Sequence, residues 1–584
     1  MSTQAHLKLE STNLIPLSEV SNSFQTLTLE EKIERTSDVI KGLLADGKHL
    51  LLASSFGKDS GVLLNIFLQA MKEFVTENGS APCCIVVNSN TLVESPLLDA
   101  YSRLEAAKVT EYCERHNLPV TMHIVEPSLS NNYLVNIIGG RTITVDSAND
   151  AKCSIMMKLN PINSHKNRIF KQFGKENVVT LVGTRFSESP ERGRAMKDRG
   201  DSYDSISINT AGDKVISPIA EWELDDIFFY IGYVRSNKIE CYSDFEALVE
   251  TYRDINGGEC MVNVYTTGQA SKTPCGGRSG CWICLKISED KSMENMLKRD
   301  ENAYMRPLND LRNYLVANQY DPSKRNWLAR TLNDDGSVTI APNSYSPDYC
   351  ETLLRLVLSI QMRENRAAAA LGIAPRFTLL RLKDVIAIEV LWARYGYHTS
   401  ARALQIFDDV VVQGEEFDVP TNQPIFHKNS LPRFSAKVSF ADKDFFGLTS
   451  GLRDVEAIIA DCERTVTKAD GRIYSDVNTS AEFTVDEEGA DLFFQFEYER
   501  FLERYTNPSY CPTQVFHYFL RQGTVSLHRG GHAENDRMLR MANQIHRKGI
   551  TKVLNNPNLL LSRLSDLAGS ENVNVVIEQQ CTLF

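Results

Sequence analysis

Long apolar runs are missing from this chain. No stretch of about 18 apolar residues occurs, so no transmembrane helix and no membrane partner are expected. Met1 to Ser23 is polar and lacks a charged-then-apolar leader pattern, so the expected compartment is the cytoplasm. A positive excess is missing too: 63 Lys+Arg stand against 75 Asp+Glu, a net charge of −12. That balance argues against coating nucleic acid by charge alone, though not against a local basic groove. Internal repeats and low-complexity segments are absent as well, which excludes solenoid and fibrous organisation.

The composition that remains, 42% hydrophobic and 24% charged, is that of a folded protein. A chain of 584 residues is too long for one core, and at roughly 150 residues per domain it predicts about three or four. The 13 cysteines are too many to ignore. In a reducing compartment they predict a metal or redox cluster rather than a disulfide framework.

Residues 1–28 read as a tail. A helix is expected over Leu29 to Lys41, with Thr28 as N-cap and Glu31 three residues on completing a capping box. Short apolar runs at His49 to Ala53, Cys83 to Val87, Val120 to Val125 and Val178 to Val182 alternate with helical patterns, such as Val62 to Ala70 and Leu98 to His116. Such alternation predicts an α/β fold, a mostly parallel sheet flanked by helices on both faces. Beyond residue 290 the pattern turns helical, with Tyr349 to Arg363 and Leu379 to Tyr397 apolar at helical spacing. Phe417 to Phe434 carries three prolines and reads as a linker, followed by a mixed region with helices expected at Leu492 to Arg504 and Glu534 to His546. The expected division is therefore 29–290 for the α/β unit with its cysteines, 291–404 for a helical region and 405–584 for an accessory region.

Ser54-Ser55-Phe56-Gly57-Lys58-Asp59-Ser60-Gly61 lies between the first strand and its helix. Backbone N–H groups at a helix start, with the positive end of the helix dipole, hold phosphate oxygens. Lys58 adds a cation, the hydroxyls of Ser54, Ser55 and Ser60 add donors, and Asp59 could help hold Mg²⁺ on a triphosphate. A Walker A loop is excluded, because Leu52 stands where its first glycine belongs and Asp59 follows Lys58. Cys275, Cys281 and Cys284 follow C-x5-C and C-x2-C spacing, suited to Zn²⁺ or an iron–sulfur cluster. A fourth thiolate must come from elsewhere; Cys153 is the first candidate and Cys260 the rival. Sharing a chain with a phosphate loop favours a catalytic or redox cluster over a structural zinc. His528, His532 and His546 read as polar loop or surface residues, since glycines separate the first two.

Together these residues resemble the PP-loop ATP pyrophosphatase and phosphoadenosine phosphosulfate (PAPS) reductase superfamily, over about residues 30 to 300. Further marks are Val87 to Pro96, Cys153-Ser154 with Lys158 and Pro161, Gly183-Thr184-Arg185 with Glu188, Ser189 and Arg192, Ser217 to Trp222 with Asp225-Asp226-Ile227, and Asp290 to Met293. The full set looks most like the DndC-like branch, which acts in DNA phosphorothioation and defence. Asn90 stands where the reductase branch favours Asp, and Phe56 where Gly is commonest. The resemblance implies an adenine nucleotide α-hydrolase-like fold, an ATP pyrophosphatase or sulfurtransferase activity, ATP with Mg²⁺, and a [4Fe–4S] cluster on Cys153, Cys275, Cys281 and Cys284. It implies nucleotide contacts from Ser54 to Ser60 and Gly183, and catalytic roles for Lys58, Asp59, Arg185 and Arg192. It also implies a cysteine desulfurase, other Dnd proteins and DNA as partners. The basic residues from Arg185 to Arg199 are a candidate DNA contact. A PAPS reductase, a tRNA thiolation enzyme and a non-catalytic ATP-binding defence subunit are the competing expectations; Cys581, near the C-terminus, lacks the Glu-Cys-Gly context of the reductases.

Overall fold

The computed structural model describes residues 27–144, 152–255, 280–332, 337–421, 423–428, 436–440, 463–467, 473–477, 483–507, 510–528, 531–570 and 573–577. Cys260, Cys275, Cys581 and nearly all of the expected tail lie outside them.

The chain enters through helix α1 (Leu29–Ala45), which starts as its cap chemistry dictates. Thr28 accepts from the Glu31 N–H while Glu31 accepts from the Thr28 N–H. Four parallel strands follow, each in a short apolar run: β1 (His49–Ala53), β2 (Cys84–Ser89), β3 (Val120–Val125) and β4 (Val178–Val182). Helix α2 (Lys58–Asn78) links β1 to β2, and α3 (Pro96–Arg115) links β2 to β3. Between β3 and β4 come the short α4 (Tyr133–Ile138) and α5 (Asn160–Phe173). After β4 come α6 (Pro190–Arg199), the small strands β5 (Ser207–Ile208) and β6 (Lys214–Ile216), α7 (Leu224–Arg235) and α8 (Glu246–Ile255). The sheet order is β3-β2-β1-β4-β6-β5, parallel except for the β5–β6 pair. This is the expected mostly parallel α/β sheet. Chain order reverses at β1, between β2 and β4, and such a switch point opens a crevice at the carboxyl ends of the strands.

Alternation along the strands divides the core. Leu50, Leu52, Val86, Val179 and Leu181 pack with α1, α2 and α7 residues such as Ile40, Phe67 and Ile231. Leu51, Ile85, Val87 and Val178 face the other way, onto Ile169, Phe170 and Phe173 of α5.

A second core takes in Val93, α4, Met157 and Ile255 together with residues from Trp282 on. It joins helices Arg306–Asn318, Pro347–Leu371 and Leu382–Tyr395 to the helices Glu487–Phe496, Thr513–Gln522, His532–Arg547 and Pro557–Ser570. Residues 291–404, expected to be helical, also contain β7 (Arg325–Leu332) and β8 (Ser337–Tyr345), which form a four-stranded sheet with β9 (Ala436–Phe440) and β10 (Val573–Ile577), in the order β10-β9-β8-β7. Ser337-Val338-Thr339-Ile340 alternates polar with apolar, the period of a strand rather than a helix. The expected helix Leu492–Arg504 is two helices, Glu487–Phe496 and Tyr498–Tyr505, broken at Glu497.

The two cores meet at α4. Trp392 donates its indole N–H to the carbonyl of Ile138 at 2.8 Å, and Tyr397 donates to the carbonyl of Gly140 at 3.3 Å. Among the described residues, no helix is long and apolar enough to cross a membrane.

Candidate nucleotide and sulfur site

The loop from Ser54 to Gly57 folds over the carboxyl end of β1. Ser54 N–H donates to Val87 O and the Asn88 amide donates to Ser54 O, each at 2.9 Å, so the loop is clamped to β2. Phe56 takes a left-handed backbone (φ 54°), an uncommon state for a side chain of that size. Full burial of its ring and a 2.8 Å hydrogen bond from Tyr101 Oη to its carbonyl hold it there. Gly57 is the N-cap of α2 and supplies no capping side chain, leaving the first N–H groups of a 21-residue helix available to an anion. The hydroxyls of Ser55 and Ser60 stand 3.1 Å apart across the same turn.

Charges gather just inside this helix. Lys58 Nζ is 3.3 Å from Asp59 Oδ2, and Arg185 Nε donates to Asp59 Oδ1 at 2.6 Å. Burial works against the Lys58 ammonium, but Asp59 beside it wins, and the group is held above its ordinary pKa. Arg185 is 2% exposed, and its guanidinium donates to Asp59, Ser187 Oγ and the Trp222 carbonyl. It therefore braces Asp59 from behind. Arg192 is exposed on α6 and ion-paired to Glu188, one helical turn away. Gly183, at the end of β4, is required by closeness: a Cβ there would stand 3.0 Å from Ser60 Cα. Tyr252 of α8 also reaches the loop; its hydroxyl would lie 3.7 Å from a Cβ on Gly57.

At the neighbouring end of β2, Asn90 is used up structurally. Its amide donates to Asp99 and its carbonyl oxygen accepts from Leu92 N–H, which leaves little for a metal or a ribose. The next residues meet the cysteine segment. Trp282 N–H donates to Val93 O at 3.0 Å, Glu94 bridges to Cys281 in antiparallel fashion, and Thr91 Oγ1 lies 3.8 Å from Cys281 Sγ. Cys284 N–H donates to Cys281 O, closing a tight turn that presents both thiols locally. Trp282 itself is buried in the second core. Cys153 packs against that same core, just before a π-helical turn over Ile155–Leu159. From that turn Lys158 extends to Glu94 at 3.8 Å. The fold thus draws the segments of Cys153, Cys281 and Cys284 towards the crevice that holds the phosphate loop. Among the described residues no three His, Cys, Asp or Glu side chains are arranged to hold a metal, and Cys275 lies outside them.

Sequence reading placed Tyr101, Glu94 and Tyr252 in no role. Glu94 carried a usable signal in the Val87 to Pro96 segment; Tyr101 and Tyr252 sit in ordinary helical patterns and carried none.

Residues 49–243 match the family model of the phosphoadenosine phosphosulfate reductase domain. That stretch, a third of the chain, runs from the start of β1 almost to α8 and contains the phosphate loop, Cys153, Lys158 and Arg185. Over that stretch the chain is similar to the phosphoadenosine phosphosulfate reductase domain, and the match makes no choice among the branches of that superfamily. No curated protein matches the chain.

Proposed function

We propose that this protein is a DndC-like sulfurtransferase that activates a DNA backbone phosphate with ATP for sulfur insertion. The observation that carries this reading is the meeting of the Cys281–Cys284 turn with the Thr91–Glu94 end of β2, beside the loop at the end of β1.

In this reading the ATP triphosphate lies over Ser54 to Ser60, its oxygens taken by the free N–H groups at the start of α2 and by Lys58. Asp59, fixed by Arg185, sets the position of Lys58 before the nucleotide arrives. Asp59, whose Oδ1 is held by Arg185 and whose Oδ2 faces Lys58, would be the residue to hold Mg²⁺, which would neutralise phosphate charge there. A DNA phosphate oxygen attacks the α-phosphorus, forming a P–O–P link to AMP and expelling pyrophosphate. A cysteine persulfide from the desulfurase partner then attacks the DNA phosphorus, AMP leaves, and a second thiol takes the S–S bond to free the phosphorothioate. Catalysis rests on positioning and charge stabilisation. Cys153, Cys281 and Cys284, with Cys275, would hold the [4Fe–4S] cluster, which would relay sulfur, supply electrons or only shape the site; an all-thiol donor set suits it. Lys158, on its exposed π-turn, is placed to meet phosphate charge arriving from outside.

The test has two readouts. Lys58→Ala should lower pyrophosphate release from ATP by about 100-fold, and Cys281→Ser should abolish phosphorothioate dinucleotides in nuclease-digested host DNA by mass spectrometry while leaving pyrophosphate release. Absence of phosphorothioates with wild-type protein and its partners would refute the DNA reading. The family match also suits PAPS reduction, and sulfite release from PAPS by the wild type would favour that alternative.

A further inference from the structure

The two faces of the α/β sheet are unequally covered. One is sealed by helices α1, α2 and α7. The other carries a small patch, Leu51, Ile85, Val87 and Val178, under the single helix α5. Between α5 and edge strand β3 this leaves a cleft of about 1200 Å³, above the roughly 300–1000 Å³ of small-molecule sites. It runs the length of β3, from Val120 to Val125, a rise of about 20 Å for six residues.

One wall is α5, which lies in a segment unlike the rest of the chain, although of its cations only Arg168 lines the cleft itself. In a protein of net charge −12, the segment from Ala151 to Lys175 contains Lys152, Lys158, Lys166, Arg168, Lys171 and Lys175 and no Asp or Glu. Lys166 and Lys175 share Asp213, at 2.5 and 3.0 Å. Arg168 lines the cleft and is exposed, and Lys171 is exposed beside it on the helix surface. Glu126, the single carboxylate among the lining residues, is held by Arg381 at 2.8 Å. Rings line the same space: His165 and Phe173 on α5 itself and His123 across from them on β3, with the His123 and His165 centroids 4.7 Å apart. The Nε2 atom of His165 is buried and has no hydrogen-bond partner among the described residues. The cleft opens at Asn160 and Pro161, directly after the π-turn that carries Lys158.

From this geometry we infer that the cleft is a track for a single nucleic-acid strand, with phosphates along Arg168 and Lys171 and bases against His123, His165 and Phe173. The inference rests on the DNA reading above and deepens it by placing the strand. Cations and rings in one groove are the two elements that single-strand binders combine. The more obviously basic helix, α6, is a poorer track: Arg192 is ion-paired to Glu188 and Arg199 to Asp201 at its two ends. A duplex about 20 Å across would not enter a space bounded by one strand and one helix.

The experiment measures fluorescence anisotropy of a labelled 20-nucleotide DNA, single-stranded or duplex, against the full chain. Arg168→Ala/Lys171→Ala should weaken single-strand binding at least tenfold and reduce the slope of log K against log salt by about 1.4, at roughly 0.7 per phosphate contact. His123→Ala/His165→Ala should weaken it with the salt slope unchanged. Arg194→Ala/Lys197→Ala on α6 should leave it intact. The thermal midpoint of the α5 variant should match wild type, since both side chains are exposed. Wild-type affinity in the α5 variant, loss in the α6 variant instead, or binding of duplex alone would each overturn the inference. Strand binding that depends on α5 in a protein that releases no pyrophosphate would sink the ATP reading and leave the cleft supported.

Discussion

Glu389 lies on helix Leu382–Tyr395, fully enclosed, where its Oε2 accepts from the Ala403 N–H at 2.7 Å and more weakly from that of Leu404. Burial pushes its carboxyl from 4.5 up to about 7, against those N–H donors and the nearby Arg402. His398 lies close by, its Nδ1 3.1 Å from Glu351, which also binds Arg402 in a bidentate pair. Burial drives the imidazole from 6.5 down to about 4, although Glu351 pulls the other way. The signs oppose. The raised Glu389 value contributes stability fully present below pH 4.5 and lost as pH rises through about 7. The lowered His398 value contributes stability present above pH 6.5 and lost as pH falls towards about 4. Glu389→Gln should therefore match wild type near pH 5 and exceed it at pH 8, by about 3 kcal/mol at most, in urea midpoints across that range. An unchanged difference at the two pH values would contradict the assignment. At this scale the sequence showed Lys58 and Asp59 as charges in a loop. It did not show that Arg185 turns inward to brace Asp59, because that contact joins residues 126 positions apart.

Among the elements, α4 decides how the two cores join. Gly139 and Gly140 end it where the helix Leu382–Tyr395 crosses. A Cβ on Gly140 would stand 2.2 Å from the ring of Tyr397, at a backbone φ of 71°. Gly140→Ala should cost about 3 kcal/mol through overpacking and backbone strain together. Gly372→Ala has a similar φ of 67° but open space around it, and should cost only about 1 kcal/mol. Chemical denaturation of the two variants separates the contributions; equal losses would mean that Tyr397 moves aside freely. Elements with local causes were legible in advance. The Thr28 capping box and the strands Val120–Val125 and Val178–Val182 appear at the expected residues. The β7–β8 pair was missed within a run of helical patterns, and the break at Glu497 was hidden by continuous amphipathic spacing. Both depend on what the segments pack against.

For the whole molecule, nucleotide binding and stability are linked. A ligand that binds only the folded state at 100 times its dissociation constant stabilises by about 2.7 kcal/mol. Magnesium ATP should therefore raise the thermal midpoint of the wild type, and Lys58→Ala should remove most of that rise while leaving the midpoint without ATP nearly unchanged. A full shift retained in Lys58→Ala would place the nucleotide elsewhere. The sequence by itself determined the alternation of strands and helices, the phosphate loop and the cysteine spacing, because each is written in neighbouring residues through hydrophobic period, capping and turn chemistry. The tertiary structure alone decided the rest. It set Cys281 against Thr91 and Glu94, it brought Arg185 onto Asp59, and it left one sheet face open beside a helix without acidic residues. Those outcomes come from packing between segments far apart in the chain, where the free energy belongs to the contact and not to either partner's local pattern.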